Sequence, residues 1–264
     1  MPEGDAIFKD ARRLRPVLEG QVVEGITCRW PRVVQGLEGA VIERLTTHGK
    51  NLVLHFSVGV ILRVHRQMSG SWRVDAGRIP GRDLRLSIRT SLGVADLYDA
   101  PTVERIDARA LDAHPVLSAL GPDVLAEGFD PEEAVSRAPP EMPVGLALLD
   151  QRVAAGLGNI YRAETLFYER QDPFMPLREV REPGRLWARG RSLMLRNVAH
   201  DRIVIETREG HPINWVYDRA RQPCLRCRTR IQAGRLGGMG RDGVEQLVRT
   251  VWWCPRCQPR PGGQ

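Results

Sequence analysis

Lysine is nearly missing from this chain. Of 39 basic residues among 264, two are lysine, Lys9 and Lys50, and the rest are arginine. Coding bias toward arginine accounts for most of that skew. It leaves a lysine in a glycine-flanked loop as a candidate for chemistry that arginine cannot perform, because lysine can release its proton and arginine effectively cannot. Other absences narrow the class. No window approaches 18 uncharged apolar residues, which argues against a membrane-spanning helix. No basic stretch followed by an apolar run opens the sequence, so a secretory leader is not expected and the cytoplasm is the expected compartment. Cysteine is absent between Cys28 and Cys224, and without secretion signals a disulfide framework is a poor reading. No internal repeat is evident.

What is present describes an ordinary globular protein, long enough for two domains and a small third module. The net charge of +7 and a pI near 9.6 suit a polyanionic partner such as nucleic acid. Residues 5–18, DAIFKDARRLRPVL, put Ile7, Phe8, Ala11, Leu14 and Leu18 on one helical face, with Asp5 in or capping the first turn and Pro16 late enough to end it. From about 21 to 107 the texture is short β-branched runs between glycine and polar turns, the pattern of an antiparallel β-sandwich or barrel. Gly121-Pro122 marks a boundary. Asp130-Pro131-Glu132-Glu133 is a helix start, and VGLALLDQRVAA, NIYRAETLFYER and PGRLWARGRSLMLRNVAHD carry helical periodicity. Short strands return after Gly210 and end in a disordered-looking PRPGGQ tail.

Cys28 stands alone and reads as a small, buried apolar residue. CLRC and CPRC, separated by 26 residues, are the spacing of a tetrahedral metal site, each turn presenting two thiolates to one ion. Cys224, Cys227, Cys254 and Cys257 therefore predict one structural zinc ion with no open coordination position. The long interval, GRLGGMGRDG included, implies a longer or looser hairpin than a compact ribbon. In LVRTVWWC, Arg249 lies five residues before its cysteine and Trp252 and Trp253 flank the metal. The arginine is either a solvated surface residue or, at a hairpin tip, a rigid probe for phosphate. AAGLGNIYRAETL places Gly156-Leu157-Gly158-Asn159 before an amphipathic helix, either as a phosphate-binding helix N-terminus or as a plain helical hairpin capped by Asn159. Arg152 and Arg162 nearby add little to the first option.

Taken together, the terminal PEG with its acid, THGKNLVL, HRQMSGSW, LGPDVL, GLGNIYRAETLF, WVYDRARQPCLRCRTRI and RTVWWCPRCQ resemble the formamidopyrimidine-DNA glycosylase and endonuclease VIII family, in order from residue 2 to about 258. The resemblance implies an α+β multidomain fold: an N-terminal β-sandwich over 1–118, a helix–two-turn–helix domain over 119–209, and a zinc finger and tail over 210–264. It implies removal of oxidised bases from DNA, then strand cleavage at the abasic site. With Met1 removed, Pro2 would present a secondary amine whose pKa of about 7.7–8 leaves far more free base at neutral pH than a lysine near 10.4. Attack on the sugar C1′ gives a Schiff base, and Glu3 can exchange protons as the ring opens. By resemblance, Lys50 assists base loss and β-elimination, Arg249 grips the phosphate near the lesion and is a catalytic residue of δ-elimination, and Asn159 contacts the same backbone. Gln67 and Met68 fill the space left by the flipped base.

The start PEGD and the stretch LYDAPTVERID, which lacks the arginine-phenylalanine pair of the purine-directed branch, resemble the endonuclease VIII side. Oxidised pyrimidines are thus favoured over oxidised purines. Asp218 and Arg221 stand where the family's VYGRxGxPC has glycines, which touches the finer DNA contacts of the finger. Damaged DNA is the expected partner, with a monomer and no membrane. The rival readings are a non-catalytic zinc-finger DNA-binding protein on the same scaffold and a zinc ribbon that binds RNA or protein. Retained Pro2, Glu3 and Lys50 weigh against the first.

Overall fold

The structure, a computed structural model, describes residues 2–77, 79, 81–200, 203–208, 211–239 and 245–260. Two compact units divide the chain, Met1–Leu120 and Gly121–Gln264.

The first unit opens with α1 (Gly4–Leu18), followed by β1 (Gly25–Cys28), α2 (Pro31–Val34), β2 (Ile42–His48), β3 (Asn51–Phe56), β4 (Val60–His65), β5 (Ser71–Val74), β6 (Leu84–Thr90), β7 (Gly93–Tyr98) and β8 (Thr102–Asp107). The strands form two four-stranded sheets, ordered β1-β6-β7-β5 and β2-β3-β4-β8, in which every pair is antiparallel. This is the β-sandwich that the short alternating runs predict. Its core joins Ile7, Ala11, Leu14 and Leu18 of α1 to Leu52 and Leu54 of β3 and Leu86 and Ile88 of β6. Phe8 is only half-buried, and Cys28, also half-buried, packs against this core. Strand β3 is buried on both faces, because Val53 on its other side packs with Ile61, Ile106 and Leu117.

Pro16 does not end α1 but sits inside it. A proline removes one N–H and crowds the carbonyl four residues back. Here the helix closes only two residues later, at Leu18, so a single turn bears that cost, and the Glu19 N–H still reaches Arg15 O.

In the second unit the helices are α3 (Pro131–Arg137), α4 (Val144–Ala147), α5 (Asn159–Tyr168) and α6 (Gly184–Val198). They are followed by β9 (Glu206–Arg208), β10 (His211–Ile213), β11 (Gln232–Met239) and β12 (Glu245–Trp253). Asp130 caps α3 as its sequence predicts, accepting the Glu132 N–H at 2.9 Å. Helix α4 is much shorter than its periodicity suggests. Asp150 accepts the Arg152 N–H at 2.9 Å, a local side-chain turn that competes with continuing the helix. The long β11–β12 hairpin answers the wide cysteine interval, whose residues 240–244 lie outside the described residues, as do residues 261–264 of the tail.

Candidate functional site

Helix α1 starts at the residues singled out in PEGD. Glu3 occupies the N-cap position and its backbone carbonyl accepts the Ala6 N–H at 3.0 Å. Its side chain makes no capping bond and is fully buried, with Pro2 half-buried just before it. Asp5, also buried, pairs with Lys9 at 3.0 Å one turn on. Acids in the first turn suit the positive end of the helix dipole.

Lys50 lies in the two-residue turn between β2 and β3, closed by the His48–Asn51 pair. A chain of bonds with fixed polarity holds this turn. Asn51 donates Nδ2–H to His48 O at 3.1 Å, and its Oδ1 accepts from Arg63 Nε at 2.8 Å. Arg63 Nη1 donates to Glu104 at 2.7 Å, and the other carboxylate oxygen faces His114 Nε2 at 3.2 Å. His114 Nδ1 accepts the N–H groups of Val116 and Leu117 at 3.3 and 3.1 Å, so its proton sits on Nε2. Burial pushes the Glu104 carboxyl up, but the Arg63 and His114 bonds and charges outweigh it and hold it below its usual range. His65 is pushed down to about 4 by burial and then by the charges of Arg63 and Lys50. Its Nδ1 accepts the Gln67 N–H at 3.2 Å. Gln67 and Met68 follow in an exposed loop, Met68 65% exposed.

The turn before α5 depends on Gln151, whose amide donates to Leu149 O and Leu157 O at 2.8 and 2.9 Å and accepts the Gly156 N–H at 3.0 Å. Gly156 has φ +121°, a conformation open to glycine and costly for other residues. Gly158, not Asn159, is the N-cap of α5. Arg162, weighed in the sequence as a nearby cation, is fully buried. Its guanidinium donates to Asn159 Oδ1, to Thr250 O at 2.6 Å and to Gly145 O at 3.4 Å. One buried cation thus fixes the Asn159 side chain and the residue following Arg249. Glu164, one helical turn past Ile160, accepts the N–H groups of Trp215, Val216 and Tyr217 at 2.8, 3.0 and 2.8 Å. Burial raises its pKa against the pull of those bonds. Phe167 stacks on Trp215 at 5.3 Å, and Arg226 of the CLRC turn lies over Phe167 at 4.3 Å.

The four cysteines converge, with all four sulfurs within 4.8 Å of one another. Cys224 and Cys257 lie 3.9 Å apart and Cys227 and Cys254 3.4 Å, and none is in a disulfide. Four thiolates at about 2.3 Å from one tetrahedral ion stand about 3.8 Å apart, so the donor set fits a metal ion and leaves it no open position. Trp252 and Trp253 pack on Tyr217 and Phe174 at 4.8 and 5.0 Å. Arg249 is exposed but is not at a hairpin tip. It sits within β12 opposite Leu236, and the ladder continues past it to Met239–Glu245. The hairpin extends beyond the arginine through the pairs Gly238–Gln246 and Met239–Glu245.

Comparison with known proteins decides the family. Residues 1–111 match the formamidopyrimidine-DNA glycosylase N-terminal domain, and residues 120–209 match the formamidopyrimidine-DNA glycosylase H2TH domain. A probable endonuclease 8 of Streptomyces coelicolor is 36% identical over 100% of this chain and 98% of its own length. The chain belongs to the formamidopyrimidine-DNA glycosylase and endonuclease VIII family. A Mycolicibacterium smegmatis protein named DNA-(apurinic or apyrimidinic site) lyase is 35% identical, covering 98% of this chain and 99% of its own. Among solved structures, a Lactococcus lactis Fpg mutant in complex with Fapy-dG-containing DNA shares the fold. Its TM-score is 0.78 at 22% identity, over 98% of this chain and 100% of that one. The Thermus thermophilus MutM (Fpg) protein matches with a TM-score of 0.76 at 27% identity, over 97% of this chain and 98% of that one.

Family membership sharpens one departure. Asp218 and Arg221, which the sequence resemblance sets against glycines, have φ of +56° and +67°. The backbone keeps the left-handed turns that glycine makes easily, and the Arg221 N–H still reaches Ile231 O at 2.8 Å.

The structure sorts the candidate residues into two sets. Pro2, Glu3, Lys50, Gln67 and Met68 belong to the first unit, and Asn159, Arg249 and the cysteines to the second. Sequence reasoning missed Asn51, Arg63, Glu104, His114 and Glu164 and undervalued Arg162. Only Arg162 carried a signal, three residues after Asn159 on a helix.

Two outcomes are expected. Arg162→Met orphans buried acceptors and should cost roughly 1–3 kcal/mol for each one left unpaired, measured by urea unfolding; unchanged stability would show those bonds to be net neutral. Because His65 is held neutral in the fold, its contribution is fully present above pH 6.5 and is lost as pH falls through about 4. The thermal midpoint should drop across that window, and His65→Asn should remove part of the drop.

Proposed function

We propose that this protein excises oxidised bases from DNA, pyrimidines ahead of purines, and then cuts the strand at the abasic site. As a member of its family it is a DNA glycosylase with abasic-site lyase activity, acting in base excision repair. The observation that carries the mechanistic reading is the start of α1, where Pro2 directly precedes a fully buried Glu3.

With Met1 removed, the Pro2 nitrogen attacks C1′ of the damaged nucleotide. The bond from C1′ to the base breaks, the departing base takes a proton, and the C1′–N bond becomes a charged iminium as the sugar ring opens. Glu3, buried and beside the amine, is suited to hand a proton to the ring oxygen. Loss of a C2′ proton then expels the 3′ phosphate, the iminium drawing off the electrons. Lys50, in a turn fixed by Asn51, serves base loss and this elimination. Asn159 and Arg249 bind phosphates flanking the lesion, and Gln67 and Met68 occupy the space that the flipped base leaves. One zinc ion on the four cysteines is structural: it closes a module too small to bury a core of its own. The helix–two-turn–helix region is assigned to 119–209, all but its first two residues in the second unit, and the zinc finger to the stretch from 210. The protein works on damaged DNA as a monomer in the cytoplasm; among the described residues no helix is long and apolar enough to cross a membrane. The absence of an arginine-phenylalanine pair in LYDAPTVERID supports the pyrimidine preference.

Borohydride should trap the Met1-free protein covalently on DNA containing an abasic site, and Pro2→Gly should lower trapping by about tenfold or more. Undiminished trapping by that variant would assign the nucleophile to another amine. A panel of oxidised pyrimidines and purines in duplex DNA tests the preference, and faster release of the purines would reverse it. Elemental analysis should find about one zinc per chain, and a metal-free preparation with full activity and an unchanged melting temperature would refute the zinc assignment.

A further inference from the structure

Five residues, Arg66-Gln67-Met68-Ser69-Gly70, connect β4 to β5. Their two ends are tied together twice. The Gly70 N–H reaches Arg66 O at 3.0 Å, and Arg66 Nε donates back to Gly70 O at 2.7 Å. The closure is tight enough that a Cβ on Gly70 would lie 2.8 Å from Arg66 O. The same guanidinium, through Nη1, bonds the carboxylate of Asp10. Asp10 is buried in α1, 1% exposed, and Arg13 holds its other oxygen at 3.1 Å. The far shoulder of the loop is braced as well. Ser69 Oγ donates to Asp99 O at 3.0 Å, and Arg82 donates to Ser69 O at 3.3 Å, to Ser71 Oγ at 3.1 Å and to the Asp99 carboxylate. Gln67, at φ +48°, has its N–H on His65.

Within this frame the side chains of Gln67 and Met68 stay exposed. A large apolar side chain held in water by a loop fixed at both shoulders is suited to insertion into another surface. We infer that Arg66 is a positioning residue that sets the 66–70 loop for displacing a base from the duplex by clamping it to α1. The inference rests on the base-excision reading above. Through Asp10, the wedge and the helix that begins at Glu3 share one rigid attachment, so the residue that enters the stack is registered against the amine that attacks the sugar. Lysine in place of Arg66 lacks the rigid fork whose separate Nε and Nη1 donors reach Gly70 O and Asp10.

The test compares release of one oxidised pyrimidine from a fully paired duplex and from an unpaired bubble in the same duplex, where little stacking remains to be broken. For Arg66→Met, the single-turnover rate on the paired substrate should fall by about tenfold or more, while the rate on the bubble stays within about twofold. Arg66→Lys and Gly70→Ala, which open the loop in other ways, should show the same selective loss. They carry the test if Arg66→Met does not melt as a folded protein. Equal losses on both substrates, or none on either, would overturn the inference while leaving the excision reading intact. A wild-type protein that releases no base from either substrate and is not trapped on abasic DNA would sink both.

Discussion

An ionisable group taken out of water needs hydrogen-bond partners from the protein, and α5 buries two such groups. Leaving either without partners would cost several kcal/mol, so the segments that satisfy them are not free to move. Arg162 requires the Asn159 side chain and the Thr250 carbonyl to be where they are. Glu164 requires three successive N–H groups from residues 215–217. Between them, one ten-residue helix fixes the GLGN turn, the entry to the cysteine module and the strand that carries Arg249. The first unit follows the same rule. Buried Arg63 settles the turn of Lys50 through Asn51, and buried Asp10 settles the loop of Met68 through Arg66. In each case a loop that has to be exposed borrows its rigidity from a buried ionic group a few ångströms away.

Those anchors explain the chain's reliance on arginine better than charge alone does. Arg63, Arg66, Arg82 and Arg162 each bridge at least two acceptors that point in different directions, and a rigid planar fork does so with a wider reach and less ordering than an ammonium on a flexible stem. Of the two lysines, Lys9 is tied to a carboxylate on its own helix. Lys50 is presented in a turn whose neighbours do the holding. Coding bias set the background, and the lysine that remains in a turn is the one to which the proposed mechanism gives proton exchange.

How much of this the sequence disclosed followed from the range of the forces involved. Strand alternation, the Asp130 cap and paired cysteines are local patterns with local causes, and each appeared where the residues put it. Pro16 misled because the penalty of a proline depends on how much helix follows it, and only two residues do. Asp150 shortened α4 by making its own turn, a competition that apolar periodicity does not register. Arg162 looked like one more surface cation because nothing in NIYRAETL reveals that Thr250, 88 residues on, would come to meet it. The placement of Arg249 was wrong for a related reason: spacing from Cys254 gives its distance from the metal, but only the pairing partner gives its distance from the turn.

That last distance has a geometric consequence. Beyond Arg249–Leu236 the ladder holds two more pairs, Gly238–Gln246 and Met239–Glu245, which carry β11 three residues past Leu236; at roughly 3.3 Å per residue the ribbon overshoots its arginine by on the order of 10 Å. An arginine set back by that distance presents its guanidinium from the flank of the ribbon and not from its turn, so whatever it binds meets the side of the strand.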